Sequence, residues 1–185
     1  MRWFFIGMIA ALTATGCASK EKKAPPPTDA ETTTRAQAAL TPFKKSLKEA
    51  LVSELAKSPV SAIAVCADKA PALAREASKG GVRVGRSSAR LRNPDNKPPS
   101  WLVPVMDDLA KEPSGTAASR VVDLGDGRRG YAEAIWVDTM CLTCHGSSVS
   151  PEVEAELKSR YPQDAARGFA AGDFRGVFFA ELDAL

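Results

Sequence analysis

Between Ser119 and His145 the chain reads SRVVDLGDGRRGYAEAIWVDTMCLTCH. Two runs of β-branched and aromatic residues, Ser119–Leu124 and Tyr131–Val137, flank Gly125-Asp126-Gly127, which has the residue types of a tight turn. A β-hairpin is the expected result. Its second strand leads straight into Cys141-Leu142-Thr143-Cys144-His145, a C-x-x-C-H pentapeptide holding the only histidine among 185 residues. This spacing is the attachment signature of a c-type haem. Two thiols three positions apart can each add across a porphyrin vinyl group, and the residue after the second then lies under the iron. Imidazole is a good iron ligand. Cys141 and Cys144 are therefore expected to hold one haem c covalently, with His145 as its proximal ligand.

Other readings of the pentapeptide are weaker. A structural zinc site needs four Cys or His ligands. Cys66, Cys141, Cys144 and His145 form the only set available, and no second C-x-x-C knuckle exists. A thioredoxin-like pair opens a helix after a strand in an α/β pattern. Here Gly146-Ser147-Ser148 follows, which reads as a loop.

Outward from the hairpin, helices come first. Leu40, Phe43, Leu47, Leu51 and Leu55 recur at three- and four-residue spacing and predict an amphipathic helix over Gln37–Lys57. Ser58-Pro59 reads as the cap and first position of a second helix. It carries Cys66, is broken or kinked by Pro71, and is stopped by Gly80-Gly81. Val82–Arg86 is a strand candidate, and Ser87–Pro99 a polar loop rich in Asn and Pro. Trp101–Lys111 is expected to be a short helix capped by Ser100. After the pentapeptide, Pro151–Arg160 reads as a charged surface helix and Gly176–Leu182 as a last strand. Helices followed by hairpin-connected strands argue for an α+β domain with an antiparallel sheet.

The N-terminus sets the compartment. Arg2, the short apolar run Trp3–Leu12 and the small residues before Cys17 have the pattern of a bacterial lipoprotein signal over residues 1–16. Cys17 would carry the lipid. That places the protein on the periplasmic side of the cell envelope as a lipid-anchored membrane protein, where haem c is attached. Ala18–Arg35 is rich in Lys, Pro, Thr and Glu, holds Pro25-Pro26-Pro27, and lacks large apolar residues. It reads as a semi-flexible tether, leaving 36–185 as one domain of ordinary size. With 25 Lys+Arg against 22 Asp+Glu the formal charge is only +3, and no basic block gives support to nucleic-acid binding.

With no second histidine, bis-histidine ligation within the monomer is excluded. The position opposite His145 is left to Cys66, Met106, Met140, a lysine, water or nothing. Met140 is tied close to the proximal face. Met106 sits on an apolar helix where it fills core, and Cys66 on an apolar face where it is a small hydrophobe. Composition ranks Cys66 ahead of Met106 without closing the choice.

Assembled, these residues resemble a bacterial family of PAS-like single c-type haem domains, found as stand-alone haem proteins and as extracytoplasmic sensor regions of signalling proteins. The resemblance runs through Ala62–Cys66, Arg86-Ser87-Ser88, Arg92–Asn96, Cys141–Gly146, Tyr161-Pro162, Asp164, Gly168-Phe169, Gly172-Asp173 and Arg175-Gly176. It implies a PAS-like antiparallel sheet with flanking helices, and iron held by His145 and Cys66. It also offers Arg86 and Arg92 as partners for the haem propionates, since Arg binds carboxylates bidentately; a solvated loop is the competing reading of both.

A thiolate ligand lowers the reduction potential of the iron, whereas Met would raise it. The expected function is a membrane-tethered monohaem cytochrome with Cys/His ligation, acting in extracytoplasmic electron transfer or redox response. The alternative is a redox or gas (CO/NO) sensor. With no transmitter domain expected, either role hands on to a separate redox or signalling protein. An enzyme is not expected: peroxide chemistry uses a distal acid–base group, usually histidine, and none remains.

Overall fold

Thr28 and Glu31 set where regular structure begins. In the computed structural model, which describes residues 26–184, Glu31 donates its amide to the Thr28 hydroxyl at 3.3 Å and accepts the Thr28 amide at 2.8 Å. This capping box starts helix α1 (Asp29–Leu55), eight positions before Gln37. Residues 29–35 are therefore helix rather than tether, and Thr32 and Ala36 are fully buried. A stripe of small residues buries as surely as leucines do, but composition does not register it. The expected signal peptide, Cys17 and the expected tether residues 18–25 lie outside the described residues.

Helix α2 (Pro59–Ala64) starts as expected, with Ser58 accepting the Val60 amide at 3.1 Å and Pro59 in the first turn. The chain then widens into one π turn, Val65–Lys69, before α3 (Ala70–Ala77). Ala70 N–H reaches back five residues to the Val65 carbonyl. Pro71 explains the widening: it has no N–H, and its ring crowds the carbonyl four residues earlier. The kink thus falls one turn ahead of the proline and takes in Cys66.

Four strands follow: β1 (Val82–Ser87), β2 (Ser119–Gly125), β3 (Arg128–Trp136) and β4 (Phe174–Leu182). They form one antiparallel sheet in the order β1-β4-β3-β2. The expected hairpin joins β2 to β3 through Asp126 (φ 54°) and Gly127 (φ 78°), the left-handed pair that matches strand twist. At Gly176 (φ 140°) a Cβ would stand 2.2 Å from the Ser87 carbonyl oxygen, so only glycine lets β4 run this close to the end of β1. The fold is α+β, as the order of elements implies.

Each sheet face buries a helix. Leu40, Phe43 and Leu47 of α1 pack on Val84, Tyr131, Ala180 and Leu182. Opposite, Leu102, Val105, Met106 and Leu109 of α4 (Leu102–Leu109) pack on Ala132, Val177 and Phe179. Ser100 does not cap α4; Trp101 holds that position without a side-chain bond. After the one-turn α5 (Leu142–His145), helix α6 (Pro151–Arg160) is more than a surface element: Val153 and Leu157 are buried against Ile63 of α2 and Tyr161.

Candidate functional site

The pentapeptide is placed by the strand before it. Beyond β3, Asp138 accepts the Met140 amide at 3.2 Å and starts a 3₁₀ turn, Thr139–Cys141, that runs into α5. Cys141 and Cys144 fall one helical turn apart and face a cleft on the α1 side of the sheet. With its open mouth the cleft encloses about 1080 Å³ of empty space. Leu51 and Leu55 of α1 line it, together with Ile63, Ile135, Leu91 and Phe178. All six residues expected to bind or ligate, Cys66, Arg86, Arg92, Cys141, Cys144 and His145, meet on its walls. Met106 does not: it is buried under the other sheet face. Among the described residues no group of three or more His, Cys, Asp or Glu side chains is placed to hold a metal ion.

The imidazole of His145 is held neutral. Its Nδ1–H donates to the Ala166 carbonyl at 2.7 Å. A carbonyl only accepts, so the proton sits on Nδ1 and Nε2 keeps its lone pair. Burial, with the Arg92 and Arg175 charges adding to it, pushes the His145 pKa down to about 3. The ring is uncharged at any physiological pH. Phe169 meets it edge-on at 6.2 Å between centroids. The backbone locks the segment further: Phe169 N–H donates to His145 O at 2.9 Å and Gly168 N–H to Gly146 O at 3.1 Å. Burial also pushes the Cys144 thiol up.

Arg92 overturns the solvated-loop reading. It is 8% exposed, and Nε donates to Asp164 Oδ2 at 3.0 Å. Its Nη2 donates to the carbonyls of Cys144 and Ala166. Asp164 also receives the Ala166 amide at 2.9 Å and Arg167 at 3.0 Å. Although burial works the other way, these donors hold its carboxyl below the usual value.

Two arginines not among the expected binding residues complete the cleft. The Arg90 guanidinium carbon stands over the Phe169 ring at 3.7 Å from its centroid, and that of Arg175 at 5.2 Å. Burial and the nearby Arg86 and Arg92 charges lower the Arg175 guanidinium to about 10. Among the described residues no carboxylate lines the cleft beside these four arginines. Its floor is apolar and its polar wall cationic, which suits a flat apolar ligand with acidic substituents.

Cys66 stands on the wall formed by α2 and the π turn. It is half-buried, and among the described residues no hydrogen-bond partner meets its thiol. It also borders a second, mixed-polarity cavity between α3 and the β1 edge, lined by Ala70, Ala74, Arg83, Gly85 and Lys97.

Fold and site together define an antiparallel α+β domain that turns a C-x-x-C-H helix toward a cationic, apolar-floored cleft. The family is the one described as Tll0287-like: its model matches residues 20–182, and the chain belongs to it. Among solved structures, the crystal structure of the cyanobacterial heme-protein Tll0287 superposes with a TM-score of 0.67 at 22% identity. The match covers 86% of this chain and 98% of that one. At this identity the likeness bears on the fold. No curated protein matches the sequence.

Proposed function

We propose that the cleft binds one haem, joined by thioethers to Cys141 and Cys144, with His145 Nε2 as proximal ligand and Cys66 Sγ as distal ligand. The observation that carries this reading is the meeting of those four side chains with four arginines in one cleft. A haem held there supplies a one-electron redox couple, and Cys66 ligation would place its potential low. The chain's own parts do the rest. Nδ1–H bonding orients the imidazole, the leucine and isoleucine walls exclude water, and Arg86, Arg90 and Arg175 offer donors to propionates. Family membership and the haem protein of the same fold support the assignment.

The role that follows is electron transfer or redox response outside the cytoplasmic membrane, as a lipid-anchored protein working with a separate partner protein rather than as an enzyme. The chain is made with a haem-attachment apparatus and weighed, then examined by absorption and EPR. The expected protein carries one covalent haem and a low-spin thiolate signature that Cys66→Ala abolishes. A mass without haem overturns the cofactor; an unchanged Cys66→Ala spectrum overturns the distal ligand. The anchor is tested apart: Cys17→Ser should release the protein from the membrane fraction, and retention there defeats it.

One observation favours the sensor alternative. Cys66 lies between the cleft and the second cavity, so a thiol that leaves its ligand position has space behind it. Binding of CO by the reduced protein, with loss of the thiolate spectrum, would select this alternative; unchanged ligation in both redox states would select the carrier.

A further inference from the structure

We infer that Arg92 is a positioning residue for the proximal imidazole: through the carbonyls of Ala166 and Cys144 it fixes the His145 ring and weakens its donation to the metal. This rests on the haem reading above and assigns Arg92 a task other than propionate binding.

The geometry carries the inference. The Ala166 oxygen has two lone pairs. One accepts His145 Nδ1–H at 2.7 Å and the other accepts Arg92 Nη2 at 3.2 Å. The same guanidinium donates to the carbonyl of Cys144, the residue before the ligand. An acceptor that shares its density with a cation pulls less on the imidazole proton. A carboxylate in this position raises the basicity of a ligating histidine; a carbonyl polarised by arginine acts in the opposite sense. Arg92 cannot drift from this task, because Asp164 holds its Nε at 3.0 Å and also holds the Ala166 amide at 2.9 Å. One carboxylate thus sets the distance between the cation and the carbonyl it polarises.

Chemically, this sets the two axial ligands against each other. A thiolate pushes electron density onto the metal. The arginine-polarised histidine withholds it, so the potential settles higher than the thiolate alone would set it.

The test uses the haem-loaded full chain with Arg92→Gln and Arg92→Lys, read by redox titration and low-spin EPR. Arg92→Gln should favour the oxidised form about threefold to tenfold at a fixed ambient potential, where tenfold is about 59 mV for a one-electron couple. Arg92→Lys keeps the charge but has no planar fork. It should give a smaller shift with a broadened EPR signal, reporting a ring no longer held in one orientation. If Arg92→Gln does not load haem, the lysine variant decides. A wild-type potential and EPR signal in the haem-loaded variants overturn the inference. Absence of haem from the wild-type protein overturns the underlying reading instead.

Discussion

The two walls of the cleft are built by different physics. The His145 wall is held by directed polar bonds: Nδ1–H to Ala166, two backbone bonds from Gly168 and Phe169, and the buried Arg92–Asp164 pair. The Cys66 wall is held by apolar packing of Ile63, Val153, Leu157 and Tyr161, on a helix already widened to a π turn. Directed bonds fix orientation, because they weaken steeply with angle. Packing fixes position but is non-directional. With haem bound as proposed, a site made this way would have one ligand it cannot turn and one it can release. That asymmetry is what a redox-responsive centre needs, and a pure carrier does not require it.

The largest effect should come from breaking the directed wall. The Asp164 side chain is 2% exposed and is the carboxylate that meets the buried Arg92 guanidinium. Asp164→Ala leaves that cation without its counter-charge and should cost about 3–5 kcal/mol, read as a lowered urea midpoint. The acid limb carries a second reading of the same bond. A carboxyl held below its ordinary value stabilises the fold above that value and loses the contribution as pH falls through its folded value. Asp164→Asn should therefore flatten the stability–pH curve on the acid side of the carboxylate range. A loss under about 1 kcal/mol with an unchanged acid limb would mean that the polar wall is no firmer than an exposed ion pair.

How much of this was legible in the sequence depends on the reach of each interaction. The pentapeptide and the Asp126-Gly127 turn are local, and spacing alone reveals them. The Thr28-x-x-Glu31 capping box was equally local, yet a composition reading of the tether passed over it. The clamp is a different case. Arg92 and Asp164 are 72 positions apart, and the group they converge on is a backbone carbonyl, which any residue possesses. Arg90 and Arg175 are 85 positions apart and meet at Phe169 where β4 runs close against Ser87 and Ser88 at Gly176. Cys66 was nameable from ligand chemistry, but the π turn that bears it required seeing where the helix relieves the crowding of Pro71.

The smallest effect sharpens the comparison from the other side. If Cys66 is releasable, it contributes little to the wall that carries it. Its thiol is half-buried and meets no hydrogen-bond partner among the described residues, and the neighbouring apolar cluster is complete without it. Cys66→Ala in protein made without the attachment apparatus should lower stability by about 1 kcal/mol or less, by the same urea measurement. In haem-loaded protein the same substitution would remove the proposed distal ligand and should change the spectrum outright. A haem-free cost of about 3 kcal/mol or more, the range of a core truncation, would show that Cys66 is part of the packing itself. The contrast between a fixed and a releasable wall would then fail, and with it the physical basis for ligand exchange at this site.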